Sequence, residues 1–378
     1  MTQYAQVNPE IISWALDRAR LSVDAVAQKL HVNPDRVSEW ETGVRRPTFK
    51  QAMNFANKVY LPFGYLFLAQ PPKDQLQIPD LRTVGSEPLQ EPSLALLDTV
   101  RSVLQKQVWY QEYVIDQGEG PLPFVGAFTT QTPVRQLVAD MQRRLGVDDI
   151  DPHGLRWDEY QAAIVSRAET MGILVIRSGI VGNNTHRPLD VQEFRGFAIA
   201  DAWAPVVFIN GKDAPTARLF TLIHELAHIW IGSSGVSSVG ISGERGGERY
   251  CNQVAAEFLA PEKRFLQLWK TGDWEANLPE LSRQFHVSQM VIARRALTLG
   301  KIDEATYRNH YLNELKRFNE ATGGGGSFYR NAKTKNSERF SRAVTAEALS
   351  GHILLRDAGK LLGISPGKIA QYAKELNR

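Results

Sequence analysis

The 378-residue sequence predicts an α+β fold that is mostly helical. Three observations carry that expectation. Apolar residues recur at helical spacing through the first 70 positions and again through most of the chain beyond 215. Runs of β type fall only between about 172 and 211. Directly after the last of them, a helical stretch carries the pattern His-Glu-x-x-His at 224–228.

Composition narrows the class. An apolar share of 43 % and a charged share of 22 % are those of a folded chain rather than a disordered one. No stretch approaches the roughly 20 continuous apolar residues of a membrane span. The start, MTQYAQVNPEIISW, has neither a basic head nor an apolar run, so no secretory signal is expected. One cysteine, Cys251, leaves no internal disulfide and no Cys-rich zinc module. The expected setting is cytoplasmic. The net charge of +3 is unevenly placed. Residues 1–70 hold 8 Lys+Arg against 6 Asp+Glu, and residues 301–378 hold 14 against 8, while the middle is acidic. The two ends are therefore the parts suited to nucleic acid.

The elements follow in order. PEIISWALDRAR places Ile11, Ile12, Ala15, Leu16 and Ala19 on one helical face. Ser22 caps SVDAVAQKL. Asn33 caps and Pro34 opens PDRVSEWET, which Gly43 stops. A fourth helix runs from Thr48 to about Val59, and a short apolar segment follows Pro62. Residues 70–92 are proline-rich and read as a linker. A long helix, SLALLDTVRSVLQKQVWYQEYV, and further helix to about Thr170 precede the strands GILVIRSGIVG and FRGFAIADAWAPVVFING, the latter broken at Ala204–Pro205. Two helices, TARLFTLIHELAHIWIG and ERYCNQVAAEFLAP, flank a Gly/Ser-rich loop, and GGGGS at 323–327 is a flexible joint in a helical remainder. A weak repeat links Leu30-His31-Val32-Asn33 (with Val37), Phe285-His286-Val287-Ser288 (with Ile292) and Leu362-Gly363-Ile364-Ser365 (with Ile369). Each is a helix end, a tight turn, a capping residue and an apolar anchor, the centre of a helix-turn-helix.

His224 and His228 are four apart, so a helix puts both imidazoles on one face, where they can share a metal ion. Glu225 lies beside them, where a carboxylate can take a proton from water that a metal activates. The neighbours Leu219, Phe220, Leu222, Ile223, Leu226, Ile229 and Trp230 are apolar, and polar groups on so buried a helix need partners. For a third ligand the next helix offers Glu248 at its start, Glu257 farther down, and Cys251, which better fills the core.

ARLFTLIHELAH followed by ERYCNQVAAEFLAP resembles the ImmA/IrrE family of zinc metallopeptidases, over about 155–265. The resemblance implies a zincin-like domain with a small sheet, Zn²⁺ held by His224, His228 and Glu248, and Glu225 as general base. It also implies that VVFING is the edge strand beside which a substrate strand lies. Ala260 stands where the family often has Met. Tyr250, Arg218 and His186 are candidates to hold the oxyanion.

Residues 9–68 resemble the Xre, or lambda-repressor-like, helix-turn-helix family through VDAVAQKLHVNPDRVSEWETGVRRPTFKQAMNFAN and the closing YLF. A five-helix domain is implied, with Trp40 in its core. Asp35, Arg36 and Glu39 would face base edges, and Arg45, Arg46 and Lys50 would meet phosphates. Such a domain acts as a dimer on paired half-sites, so a homodimer is expected. LPELSRQFHVSQMVIARRALTLGKID looks like a further helix-turn-helix packed on the peptidase. The basic stretch after it, with Phe328, Tyr329, Arg330, Lys333, Lys335, Arg339 and Arg342, suits nucleic acid or an acidic partner, or is a solvated joint.

The expected organisation is thus 1–70 helix-turn-helix, 71–154 linker and helical connector, 155–278 metallopeptidase, 279–322 helix-turn-helix-like subdomain, and 323–378 joint and basic helices. Together the resemblances imply a zinc endopeptidase with DNA binding in cis. It would regulate transcription by cleaving a repressor or antitoxin-like protein, in stress response or in a module paired with a toxin. The alternative is a non-proteolytic DNA-binding regulator or antitoxin that uses the same domain to hold a partner. Clustered Asp/Glu for a Mg²⁺-dependent nuclease are not apparent.

Overall fold

The computed structural model describes residues 3–72, 75–80, 91–147, 155, 157–237, 246–318 and 335–376. The GGGGS joint at 323–327, with Phe328, Tyr329, Arg330 and Lys333, lies outside the described residues, as does 238–245 of the Gly/Ser-rich loop. The chain divides into two compact units, one of residues 1–76 and 91–98, the other of 77–90 and 99–378.

The first unit is a helical bundle of α1 (Pro9–Ala19), α2 (Val23–Leu30), α3 (Pro34–Glu41), α4 (Phe49–Lys58) and a 3-10 helix (Phe63–Phe67). Its ends are capped as the sequence predicts. Ser22 accepts from the Ala25 N–H, Asn33 accepts from the Asp35 N–H, and Pro34 opens α3. Thr48 and Gln51 form a reciprocal capping box on α4. Ile11, Ile12, Val26, Ala27, Val37 and Phe55 close the core around a buried Trp40.

The second unit opens with most of α5 (Leu94–Asp116), then α6 (Val134–Leu145) and α7 (Trp157–Thr170). A four-stranded sheet follows, built from β1 (Leu174–Ser178), β2 (Gly196–Ile199), β3 (Val206–Asn210) and β4 (Gly235–Ser237), in the order β1-β3-β2-β4. β1 runs parallel to β3, and the other pairings are antiparallel. α8 (Pro215–Trp230) packs on β2 and β3, and α9 (Gly246–Leu259) packs on α8. α10 (Glu262–Leu268), α11 (Leu278–Phe285), α12 (Gln289–Thr298) and α13 (Glu304–Phe318) follow. The described chain closes with α14 (Glu338–Leu349), α15 (Leu355–Leu362) and α16 (Ile369–Leu376). No helix among the described residues is long and apolar enough to cross a membrane.

One core joins the sheet, α6, α8, α9 and the α11–α12 pair, through side chains such as Met141, Val207, Ile223, Val254, Phe285 and Ile292. The end of α8 is pinned to α6, because Trp230 Nε1 donates to the buried Asp140 carboxylate at 3.0 Å. Burial alone would raise the Asp140 pKa. The Trp230 N–H and the Arg144 and Arg143 guanidiniums outweigh it and hold the carboxylate below its usual range.

Two readings of the sequence are corrected. VVFING is not an edge. β3 is internal, bonded to β1 on one side and β2 on the other, and the sheet edges are β1 and β4. The free side of β4 meets the chain's own proline-rich segment, where the Val236 N–H donates to the Pro79 carbonyl at 3.0 Å and Asp80 bridges Val236 in parallel. Arg339 and Arg342 are not on a solvated joint. They lie on α14, where Arg339 donates to the Tyr110 hydroxyl and the Glu169 carbonyl, and Arg342 donates to Glu338. The three-fold repeat is real as local geometry. His31, His286 and Gly363 all take the left-handed conformation at a helix C-cap, and Val37, Ile292 and Ile369 are all buried.

Candidate metal centre

α8 delivers His224, Glu225 and His228 to one place because the helix repeats every 3.6 residues and its apolar residues fix it against the sheet. α9 brings Glu248 in its first turn to meet them. His224 Nε2 lies 3.2 Å from one Glu248 oxygen, and His228 Nε2 lies 2.9 Å from the other. The two Nε2 atoms are 3.2 Å apart, and one donor atom from each residue falls within 4.8 Å of the others. All four side chains are sealed, at 0 % exposure for His224 and Glu225, 1 % for His228 and 2 % for Glu248.

The donor set fits zinc. Ligand bonds near 2.0–2.1 Å in a tetrahedron put neighbouring donors about 3.3 Å apart, close to the 3.2 Å between the two Nε2 atoms, and each imidazole has a Glu248 oxygen at 2.9–3.2 Å. Two imidazoles and one carboxylate are a borderline donor set of the type zinc takes. Burial alone would raise Glu248, but hydrogen bonds from both imidazoles outweigh it and hold the carboxylate at about 2, so it is ionised and ready to ligate. Burial lowers the His228 pKa, which favours the neutral, ligating ring.

Glu225 behaves differently. Burial is the main cause that raises its pKa to about 8, and the nearby Glu248 charge adds to it. One oxygen, Oε1, is buried with no hydrogen-bond partner among the described residues. Its other neighbours come from the sheet. Ser237 Oγ lies 3.5 Å from both Glu225 Oε2 and Glu248 Oε1, bridging the two carboxylates. Gly196, the cross-strand partner of Ser237, gives Glu225 room. A Cβ there would stand 2.8 Å from Glu225 Oε1, the Phe208 carbonyl and Thr221 Cγ2, so no larger residue fits without displacing the carboxylate.

The sequence reading missed Ser237 and Gly196. Ser237 sits on a three-residue strand inside a stretch that composition reads as loop. Gly196 is marked only by its place at the head of β2. Glu257, the alternative ligand, is elsewhere. It pairs with the buried Arg295 and lies 3.9 Å from Arg135. Glu257→Ala should therefore leave metal content unchanged and destabilise the fold by about 3–5 kcal/mol, because it strands a buried guanidinium. Metal analysis beside a denaturant titration checks this, and loss of metal from a folded variant would restore Glu257 as a ligand. Cys251 is fully buried beside the site but outside the cluster, and burial pushes its thiol pKa well up.

Of the oxyanion candidates, Tyr250 donates its hydroxyl to the Thr132 carbonyl at 2.9 Å. His186 is exposed on the 181–190 segment. Arg218 has Asp213 and Arg177 as its charged neighbours. On the first unit, Asp35, Arg45 and Arg46 are exposed, as is Lys50, while Arg36 and Glu39 are half-buried. Glu39 lies 3.7 Å from Arg36 and 3.9 Å from Arg45, so the acidic residue on α3 partly neutralises two basic ones.

An HExxH helix on a small mixed sheet, with a third carboxylate from the next helix, is a donor arrangement of the kind that metallopeptidases use. Residues 168–297 match the family model of the IrrE N-terminal-like domain, Peptidase_M78, which spans the end of α7, the whole sheet and α8–α12. Residues 336–375, covering α14–α16, match a domain of unknown function, DUF8813. No curated protein matches the chain.

Proposed function

We propose that the chain is a zinc-dependent endopeptidase joined to a DNA-binding domain, regulating transcription by cleaving a repressor or antitoxin-like protein. The observation that carries the enzymatic part is the convergence of His224, His228 and Glu248 within 4.8 Å, with Glu225 beside them, inside a segment that matches a peptidase family model. His224, His228 and Glu248 would hold Zn²⁺, which when bound supplies Lewis acidity to water and to a peptide carbonyl. Glu225 then takes the proton and passes it to the leaving amine. Ser237 keeps the Glu225 and Glu248 carboxylates in register, and Gly196 keeps the wall behind Glu225 clear.

The test compares new protein N-termini in cells producing the wild-type chain and a Glu225→Gln chain. N-termini that appear only with the wild type, clustered in a DNA-binding regulator, support the proposal. Identical sets in both overturn the peptidase reading.

A second reading has its own support. The four site residues are almost wholly sealed, as suits a structural metal in a domain that holds a partner without cutting it. Under that reading Glu225→Gln would retain regulation intact.

DNA binding rests on the bundle of the first unit, its resemblance to Xre domains, and the exposed Arg45 and Arg46 after α3. Arg36→Ala is expected to weaken sequence-selective binding by about 1–3 kcal/mol. Arg46→Ala is expected to weaken all sequences alike and to flatten the salt dependence by about one ion. Fluorescence anisotropy on selected and scrambled duplexes separates the two. Unchanged selectivity in Arg36→Ala would move the readout off α3.

A further inference from the structure

A cavity of about 640 Å³ lies away from the metal ligands, walled by α7, β1, the start of α8 and α14. Its charged lining is unbalanced. Glu169 accepts hydrogen bonds from the Glu338 and Arg339 N–H groups and so caps α14. Glu338 in turn pairs with Arg342, and Arg339 holds Tyr110. Asp158 is also engaged. Arg177 and Arg218 are left over.

The Arg177 guanidinium, on β1, has no ion pair or hydrogen bond among the described residues, and the charge that acts on it is Arg218. Arg218, in the first turn of α8, has one opposite charge nearby, Asp213, which lies 3.7 Å from Arg195. The Arg218 Nε is buried and makes no hydrogen bond. Burial lowers the pKa of both groups, and Arg218 lowers that of Arg177 further. Two partly buried guanidiniums that line one cavity and repel each other are unfavourable unless an anion joins them.

We infer that this cavity binds a phosphate-bearing small molecule of nucleotide size, its phosphate held between Arg177 and Arg218. Asp213 offsets part of the Arg218 charge and nothing described offsets that of Arg177, so the pair keeps a net positive charge, and forked N–H groups from two arginines can bind more oxygens than a single carboxylate offers, as a terminal phosphate does. The volume lies in the usual range of small-molecule sites, about 300–1,000 Å³, and exceeds what the anion alone would fill. Val165, Val175 and Ile209 offer an apolar wall for the rest of the ligand, and the buried Gln161 and the exposed Thr170 offer polar groups. The site joins the peptidase-like segment to the segment matching DUF8813, since Arg177 and Arg218 come from the first and α14 from the second.

The inference does not rest on proteolysis, because its test reads binding directly. Full-length protein is titrated calorimetrically with AMP, GMP, CMP and UMP, with inorganic phosphate, and with adenosine as the uncharged control. At least one nucleotide is expected to bind one per chain and to raise the thermal midpoint, while adenosine does neither. Arg177→Gln and Arg218→Gln are expected to weaken binding at least tenfold. Arg177→Met should also raise the midpoint of the ligand-free protein, since it removes a like charge that acts on Arg218; that result shows that the variant folds. Inorganic phosphate bound as tightly as any nucleotide would overturn the nucleotide-sized ligand. No binding of any probe at millimolar concentration, or unchanged binding in Arg177→Gln, would overturn the site.

Discussion

Full-length protein prepared with zinc is expected to keep about one ion per chain, and His224→Ala is expected to keep none after desalting. The argument is geometric. The three donors already lie within 4.8 Å of one another, so binding requires little rearrangement, and His224 supplies a donor that no neighbour can replace. Cys251 is the nearest soft donor, but it lies in the core outside the cluster and its thiol is held protonated. A bound ion stabilises the folded chain by mass action, roughly 4 kcal/mol at a thousandfold excess over Kd. A zinc-dependent rise in thermal midpoint, present in the wild type and absent in His224→Ala, is the companion measurement. Binding should weaken as pH falls, because protons compete for the imidazoles, and His228 resists that competition because burial disfavours its charged form. Stoichiometric zinc in His224→Ala would displace this site from the centre of the chemistry.

How much of this was legible beforehand depends on the range of the interaction. His224, Glu225 and His228 are one helical turn of local information, so spacing alone brought them together. The caps at Ser22, Asn33 and Thr48 are local too, and each accepts the N–H that its position implies. Glu248 was favoured by its spacing, 20 residues after His228 and room for a loop and a return helix, and the family resemblance strengthened that choice against the helix dipole, which also explains a first-turn carboxylate. Glu257 is nine residues farther on, about two and a half turns, which carries it to the opposite face of α9. Strand order was not legible. Adjacent runs suggest hairpins, but β1 pairs with β3 rather than with its neighbour β2, and nothing within VVFING records that it has a partner on both sides. Ser237 was hidden for the same reason. Its strand has three residues, and only pairing with β2 makes it a strand at all. The unpaired state of Arg177 and Arg218 was invisible as well, since an arginine's partners are distant in sequence.

Glu225→Gln is expected to lower cleavage by about 10²–10⁴-fold and to leave zinc content at the wild-type value, because a general base is removed and no ligand is lost. The same variant should also reshape the pH dependence of the metal-free protein, and the sign follows from burial. Glu225 titrates near 8 in the fold against 4.5 for an ordinary carboxyl. The folded state therefore holds a proton that the unfolded state has released between those two values. Its contribution to stability is complete below pH 4.5 and is lost as pH rises through about 8, with a slope of at most about 1.4 kcal/mol per unit. Glu248, held near 2, acts in the opposite direction, and its contribution is lost only as pH falls from 4.5 through about 2. Below about pH 6.5 His228, whose charged form burial disfavours, contributes with the opposite sign, so the Glu225 slope is read as the difference between wild type and variant. Glutamine carries no proton to lose and keeps the carbonyl oxygen, so the metal-free variant should be more stable than the wild type at pH 8 and equal to it near pH 4.5. Zinc beside the site offsets the desolvated charge, so the difference between the two proteins should shrink when the ion is present. Thermal midpoints at three pH values, with chelator and with zinc, read all of this without a substrate. A stability difference between the metal-free wild type and variant that is flat from pH 5 to 8 would mean that Glu225 is not the buried, protonated carboxyl that the geometry describes.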